Sequence, residues 1–215
     1  MESSTAAPSS NLPGMVLSDS RVKLFAIQGE PTTGKTTAMC TFPDIHVMNF
    51  DEKLPPGIKS WPFYSDDFIH SLMKTKAPMR PNRKEAILRF LREVAPQIPA
   101  TATLGVDSYT IGIDNMHNLF VVQNQNLFMS KGDGNSGPAF DPMKGFADKL
   151  MFNIEFFGLL RSLACQVVVT FHEQVERDAK GGITGRFKPL ATGQFKDQLA
   201  GNFGNIVRAV VTKEG

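Results

Sequence analysis

The chain has 215 residues, of which 41% are hydrophobic and 20% are charged. This length suits one α/β domain with a substantial core, and the composition is ordinary for a globular protein. The formal net charge of +2 excludes an overall basic character, so any nucleic-acid contact must depend on a local cluster of cations.

The sequence lacks the patterns of membrane and secreted proteins. No apolar run approaches the ~18 residues of a membrane span, and the N-terminus has no signal-peptide pattern. Cys40 and Cys165 are far apart and have no metal-ligand spacing, so we interpret both as reduced thiols. We therefore expect a cytoplasmic protein.

The first folded element is expected near residue 21. Residues 1–20 are rich in Ser, Ala and Pro and predict a disordered tail, which leaves residues 21–215 as the single domain. The apolar run 22–27 predicts a buried strand, and residues 35–40 predict the first turns of a helix.

Between this strand and helix lies a phosphate-binding motif. Its residues, in the pattern G-x-x-x-x-G-K-[ST], are Gly29, Glu30, Pro31, Thr32, Thr33, Gly34, Lys35, Thr36 and Thr37. Glycines let the backbone curl so that successive N–H groups point at phosphate oxygens. Lys35 would contact the β- and γ-phosphates, and the Thr36 hydroxyl would bind Mg²⁺. The motif predicts a nucleoside triphosphate site.

The rest of the chain alternates between predicted strands and helices. Further strands are predicted at 45–50, 109–114, 166–171 and 206–212, and helices near 66–74, 83–95, 115–128, 142–164 and 194–200. Residues 173–189 are polar, with Gly181 and Gly182 as a hairpin tip. The order predicts an α/β fold with a mostly parallel sheet and helices on both faces. Ligands of such sheets bind at the carboxyl ends of the strands.

Polar residues at three predicted strand ends are candidates for the chemistry. Asp114 is the candidate metal carboxylate, although it also fits a helix N-cap. Glu52 is favoured over Asp51 as the group that orients the attacking water, and a solvated pair beside Lys53 is the alternative. His172 is a candidate γ-phosphate sensor or a plain hydrogen-bonded residue.

These motifs together resemble a known family. The doubled threonine of the phosphate loop, Phe50-Asp51-Glu52, Ile113-Asp114-Asn115 and the segment 169–174 resemble the corresponding elements of RecA-type recombinases. The spacing after Asp51 is one residue shorter than in that family. Histidine at position 172 and the segments 189–193 and 207–208 resemble short phage ATPases that act in single-strand annealing.

The resemblance implies a RecA-like phosphate-loop ATPase of phage recombination, acting in the cytoplasm of a bacterial host. It implies ATP and Mg²⁺ as ligands, single-stranded DNA as a partner, and self-association into a ring or filament that promotes annealing or strand pairing. Glu52, Lys35 and His172 would be catalytic, and Thr36 and Asp114 would hold the metal. The alternative is a nucleotide-switched assembly or motor subunit, of packaging or replication, that acts on a protein partner or duplex DNA.

Three segments are candidates for DNA contact. If the RecA-like topology holds, loops 129–142 and 173–190 face the centre of the assembly, and Phe187 is a candidate for base stacking. The third segment is a basic cluster, which either contacts DNA or forms a solvated helix face; it comprises Lys74, Lys76, Arg80, Arg83, Lys84, Arg89 and Arg92.

Overall fold

The computed structural model describes residues 23–76, 82–130, 139–178, 180–191, 195 and 198–211. The strands are β1 (Leu24–Gly29), β2 (Ile45–Asn49), β3 (Lys59–Pro62), β4 (Thr103–Asp107), β5 (Met129–Ser130), β6 (Ala139–Phe140), β7 (Gln166–Arg177), β8 (Ile183–Pro189) and β9 (Asn205–Arg208). The helices are α1 (Lys35–Met39), α2 (Asp66–Met73), α3 (Arg83–Glu93), α4 (Asn115–Gln123) and α5 (Pro142–Ser162). A π-helical segment, Tyr109–Asp114, precedes α4.

The main sheet is mostly parallel. Its strands follow the order β3-β2-β4-β7-β1-β9, and each neighbouring pair along this path is parallel. β8 pairs with β7 in the antiparallel sense, and β5 and β6 form a separate antiparallel pair. The carboxyl ends of six strands therefore lie along one edge of the sheet.

Apolar side chains cover both faces of this sheet. On β7, Val167, Val169 and Phe171 belong to the larger core cluster, whereas Val168 belongs to the smaller one on the α1 side. This alternation follows from the period of two of a β-strand. Burial of each such side chain stabilises the fold by roughly 1.5–3 kcal/mol. The α/β fold with a mostly parallel sheet flanked by helices is thus confirmed.

The strand predicted at 109–114 is wrong. These residues form the π-helical segment, and the strand of this region is β4, six residues earlier. The helical turn begins because the Ser108 hydroxyl accepts a hydrogen bond from the backbone N–H of Ile111 at 3.2 Å, as N-cap serines do. This local bond outweighs the strand propensity of Ile111 and Ile113.

The other elements differ from the predictions mainly at their ends. The strand at 45–50 ends at Asn49, and the hairpin predicted at 173–189 consists of β8 and the outer half of β7. Residues 59–62, for which no strand was predicted, form the edge strand β3. The predicted tail and the centre of the loop 129–142 lie outside the described residues. None of the helices within the described ranges is long and apolar enough to cross a membrane.

Candidate phosphate-binding site

The segment between β1 and α1 forms a closed loop around the Lys35 side chain. Gly34, the residue before α1, has a φ of 80°, which glycine adopts without the steric cost of a side chain. The Lys35 ammonium, in a side chain that is largely buried, donates a hydrogen bond to the Glu30 carbonyl at 2.5 Å. Because α1 has only five residues, the loop N–H groups and Lys35 are the main attraction for an anion.

A pocket of about 310 Å³ opens beside this loop. Its lining comes from the loop itself, from residues that follow β2, from the carboxyl end of β4 with the residues that follow it, and from one residue within β7. The lining residues are Pro31, Thr32, Gly34, Lys35, Thr36, Thr37, Asp51, Lys53, Asp107, Ser108, Ile111 and His172. Six of the nine predicted phosphate-loop residues therefore line one cavity, together with residues from three other parts of the sheet edge.

The carboxylate next to Thr36 belongs to Asp107, the last residue of β4. Asp107 accepts hydrogen bonds from the Thr36 hydroxyl at 2.9 Å and from the Thr170 hydroxyl of β7 at 2.6 Å. Burial raises the pKa of the Asp107 carboxyl, although these two hydrogen bonds and Lys35 act against the shift. Asp107 therefore occupies the place that the sequence assigned to Asp114.

Asp114 lies elsewhere, at the end of the π-helical segment. Its carboxylate forms an ion pair with Lys149 of α5 at 2.6 Å, and the two side chains are only 3% and 4% exposed. Lys149 also donates a hydrogen bond to Asn118 of α4 at 3.1 Å. Asp114 does not line the pocket, so its assignment as a metal ligand is not supported by the geometry: it joins two helices.

At the end of β2, Asp51 lines the pocket and Glu52 does not. Asp51 lines the pocket, and its Oδ1 is buried without a hydrogen-bond partner among the described residues. Glu52 is exposed, has a φ of 63° and does not line the pocket. The Asn49 side-chain oxygen accepts from both backbone N–H groups, at 3.3 and 3.2 Å. This turn directs Asp51, not Glu52, to the site.

His172 lies beside the phosphate loop, within β7 and not after its end as the sequence predicted, because β7 continues to Arg177. It is the register partner of Gly29 across the β1–β7 pair, and its backbone N–H donates to the Thr110 hydroxyl at 3.1 Å. Burial lowers the pKa of the His172 imidazole, as does Lys35, while Asp51 raises it. The lowered pKa favours the neutral imidazole, in which one ring nitrogen donates a hydrogen bond and the other accepts one.

Lys35 faces carboxylates on more than one side. Burial lowers the pKa of its ammonium, and the charges of Asp107, Glu173 and Asp51 oppose that shift. A bound polyphosphate would add negative charge at the same place and would replace the Glu30 carbonyl as the partner of the ammonium. The Lys35 ammonium would then lie between these carboxylates and the bound phosphates.

The donor set suits Mg²⁺ bound together with phosphates. The described residues contain no cluster of three or more His, Cys, Asp or Glu that could hold a metal alone. Mg²⁺ in nucleotide sites needs less from the protein, since phosphates and waters supply most ligands. The Thr36 hydroxyl beside the Asp107 carboxylate provides the hydroxyl and the carboxylate that such sites use.

No model of a known protein family matches the sequence, and no curated protein matches it either.

Sequence reasoning missed Asp107, Lys53 and Thr170. Asp107 had one signal, the apolar residues Leu104 and Val106 directly before an Asp-Ser pair, which is how a buried strand ends. Lys53 is an exposed rim residue and Thr170 an internal strand residue, and neither stands out in a single sequence. The contact between Asp107 and Thr170 follows from the pairing of β4 with β7.

Outside this pocket, two groups of cations belong to the segments that were predicted to contact DNA. In the basic cluster of residues 74–92, four members form ion pairs: Arg83 with Asp66, Lys84 with Asp148, Arg89 with Glu93, and Arg92 with Glu85 and Glu155. Lys74 and Lys76 of that cluster have no ion pair with any described residue, and the same holds for Lys180, Arg186 and Lys188 of the β7–β8 hairpin. The hairpin also carries Glu176 and Asp178, so its cations stand beside acidic residues without being paired to them.

Proposed function

We propose that the protein is a Mg²⁺-dependent ATPase with a RecA-like phosphate-loop fold that binds single-stranded DNA as an oligomer and promotes annealing or strand pairing. The observation that carries the ATPase proposal is the hydrogen bond between Thr36 and Asp107, which joins the phosphate loop to the end of β4. It unites the hydroxyl and the carboxylate of a nucleotide-metal site. Lys35 lies beside them in the same pocket.

The proposed chemistry is the transfer of the γ-phosphoryl group to water. The oxygen of water attacks the γ-phosphorus, the bond from that phosphorus to the bridging oxygen breaks, and ADP and inorganic phosphate leave. Asp51 is the best-placed group to orient this water and accept its proton, since its Oδ1 has no other described partner. Lys35 stabilises the negative charge on the phosphates. Bound Mg²⁺ would neutralise charge on the β- and γ-phosphates.

The β7–β8 hairpin supports single-stranded DNA as the partner. Lys180 and Arg186 are exposed, and the glycine-containing tip lies between them. Cations on such an arm would contact phosphates, a contact that salt weakens. Phe187, the predicted stacking residue, is instead occupied on one face by Arg208, whose guanidinium carbon lies 3.4 Å from the ring centroid.

The proposal predicts that single-stranded DNA stimulates steady-state ATP hydrolysis about tenfold or more, and that salt reduces this stimulation steeply. The measurement compares the wild type with and without single-stranded DNA between about 50 and 200 mM salt. A variant with Lys180→Ala and Arg186→Ala should keep the basal rate and lose stimulation. A matched pair of changes in the neutralised cluster, Arg89→Ala and Arg92→Ala, should keep both. Turnover that is indifferent to DNA would overturn the DNA-binding part of the proposal.

Asp51→Asn is expected to reduce ATP turnover about 10²-fold, because the amide cannot accept the proton from water. Glu52→Gln, one residue away and exposed, is expected to retain turnover within about twofold. Both variants should bind a fluorescent ATP analogue like the wild type. The reverse result, with turnover lost only in Glu52→Gln, would return the catalytic role to Glu52.

A second candidate function is a nucleotide-switched assembly or motor subunit. The exposed apolar side chains of α4 and α5 favour it. Met143, Phe146, Met151 and Ile154 are large apolar side chains exposed on α5, and Val122 is exposed on α4. Clustered exposed apolar side chains favour contact with another protein. This candidate predicts ATP hydrolysis that responds to a protein partner or duplex DNA and not to single-stranded DNA.

A further inference from the structure

β7 changes its surroundings abruptly at His172. Up to this residue it pairs with β1 inside the main sheet, and the last register pair is Gly29 with His172. From Glu173 onwards it pairs with β8 and forms the hairpin. The junction is fixed on one side by Thr110, which accepts from the His172 N–H and donates to the Leu190 carbonyl at 3.1 Å. The hairpin therefore starts at a residue that lines the nucleotide pocket.

Arg208 fixes the other side of this junction. It ends β9, which lies beyond β1, and its side chain reaches across the end of β1 to Glu173. The guanidinium donates two hydrogen bonds to the Glu173 carboxylate, at 2.8 and 2.7 Å. The two hydrogen bonds fix the orientation of the guanidinium and also pair opposite charges. The Glu173 side chain is only 3% exposed, so loss of Arg208 would leave a buried carboxylate without its ion-pair partner.

The same guanidinium also holds the second strand of the hairpin. It stacks on the ring of Phe187 in β8, and Gln28 of β1 donates to the Phe187 carbonyl at 3.3 Å. Arg208 thus contacts both strands of the hairpin at its base. A cavity of about 430 Å³ next to it is lined by Glu30, Thr32 and Thr33 of the phosphate loop and by Glu173 and Arg208. The Arg208–Glu173 pair therefore borders the loop as well as the hairpin.

We propose that Arg208 is a positioning residue that couples the phosphate loop to the β7–β8 hairpin, through Glu173 and Phe187. This inference rests on the proposed binding of nucleotide at the phosphate loop. Glu173 and Arg208 line the same cavity as residues of the phosphate loop, so a triphosphate that rearranges this loop would change the surroundings of the Glu173 carboxylate. Two hydrogen bonds hold Glu173 to Arg208. A change at the carboxylate therefore moves both strands at the base of the hairpin.

Arginine is required for this role because lysine cannot replace its geometry. A lysine at position 208 would keep the positive charge, but it has one ammonium in place of a planar fork and cannot stack on Phe187 in the same way. Arg208→Lys should therefore bind nucleotide and fold normally while the hairpin loses its response. Phe187→Leu, which keeps the two hydrogen bonds to Glu173 and removes the aromatic ring, should give an intermediate response.

The test is amide hydrogen exchange, followed by mass spectrometry, with and without Mg²⁺ and a non-hydrolysable ATP analogue. In the wild type we expect the analogue to slow exchange in residues 29–37 and also in the hairpin, the latter by about fivefold or more, as is usual for coupled sites. In Arg208→Lys, residues 29–37 should remain protected while the hairpin responds less than about twofold. The control is Arg92→Lys, an exposed arginine on α3 that is also paired with carboxylates, and it should behave like the wild type.

The two failures are distinguishable. If the analogue does not protect residues 29–37 in the wild type, nucleotide binding itself is refuted, and the coupling with it. If those residues are protected but the hairpin is not, or if the hairpin is protected equally in Arg208→Lys, the coupling through Arg208 is refuted while the ATPase proposal stands.

Discussion

Lys35→Ala is expected to reduce ATP turnover by about 10²-fold or more and to weaken nucleotide binding. The ammonium lies across the phosphate loop on the Glu30 carbonyl and is the charged donor nearest to where a triphosphate would bind. Loss of one preorganised donor from such a site usually costs about 10²–10³ in rate. Turnover is measured in the steady state with excess Mg²⁺, and binding with a fluorescent ATP analogue.

Lys59→Ala is the matched control for this experiment. Lys59 is an exposed lysine of β3 that pairs with Asp44 at 2.7 Å, away from the pocket. The control should hydrolyse ATP at the wild-type rate, since this ion pair is exposed and Lys59 does not line the pocket. If Lys35→Ala retained wild-type turnover, the pocket would not be the site of ATP hydrolysis.

Asp107→Asn is expected to lose ATP turnover and keep its stability, whereas Asp114→Asn is expected to lose stability and keep its turnover. Asp107→Asn should lose ATP turnover by about 10²-fold or more, because the carboxylate beside Thr36 loses its charge. Its free energy of unfolding should change little, because burial already disfavours the charged form, which is why the pKa of Asp107 is raised. The turnover of both variants is measured over a range of Mg²⁺ concentrations.

Asp114→Asn should instead lose stability and keep its activity. The change leaves the buried Lys149 ammonium without the carboxylate at 2.6 Å, which typically costs about 3–5 kcal/mol. Urea unfolding measures this loss, and the exposed pair partner Asp66, changed to Asn, is the control. Turnover lost in a folded Asp114→Asn variant, with turnover kept in Asp107→Asn, would return the metal role to Asp114.

The sequence was sufficient for the parts of the fold that have strong local patterns. The apolar runs of β1 and β7, the glycines around Lys35 and the alternation of strands with helices predicted the sheet and the phosphate loop near their observed places. His172 was also found, because it follows a continuous β-branched run. In each case the signal lies within a few neighbouring residues.

Asp107 was missed because the pattern of β4 depends on a distant contact. Gly105 weakens the strand signal, yet it lies under α1, where a Cβ would come within 2.8 Å of the Met39 sulfur, so the glycine allows close packing of α1 on the sheet. The segment Tyr109–Asp114 has the stronger strand propensity, and a single serine cap turns it into a helix. In β4 the packing of the sheet overrides a weak strand propensity, and at 109–114 a local cap overrides a strong one.

The sequence alone also could not decide whether Asp51 or Glu52 lies at the pocket. Both are carboxylates at the end of β2, and the backbone turn held by Asn49 decides which of them lines the pocket. Likewise, the basic cluster on α3 could not be judged from the sequence. Asp148 and Glu155, which neutralise two of its members, lie on α5, at sequence separations of 64 and 63 residues from their partners.

The continuity of β7 gives the hairpin a mechanical property. β7 runs as one strand from the sheet through His172 to Arg177, with a register shift against β8 between Val175 and Arg177, so its outer part is an arm that begins at the candidate pocket. Five residues beyond His172, at about 3.3 Å each, give an arm of roughly 17 Å. A tilt of about 10° at His172 would move the end of that arm by about 3 Å, which is the length of a hydrogen bond.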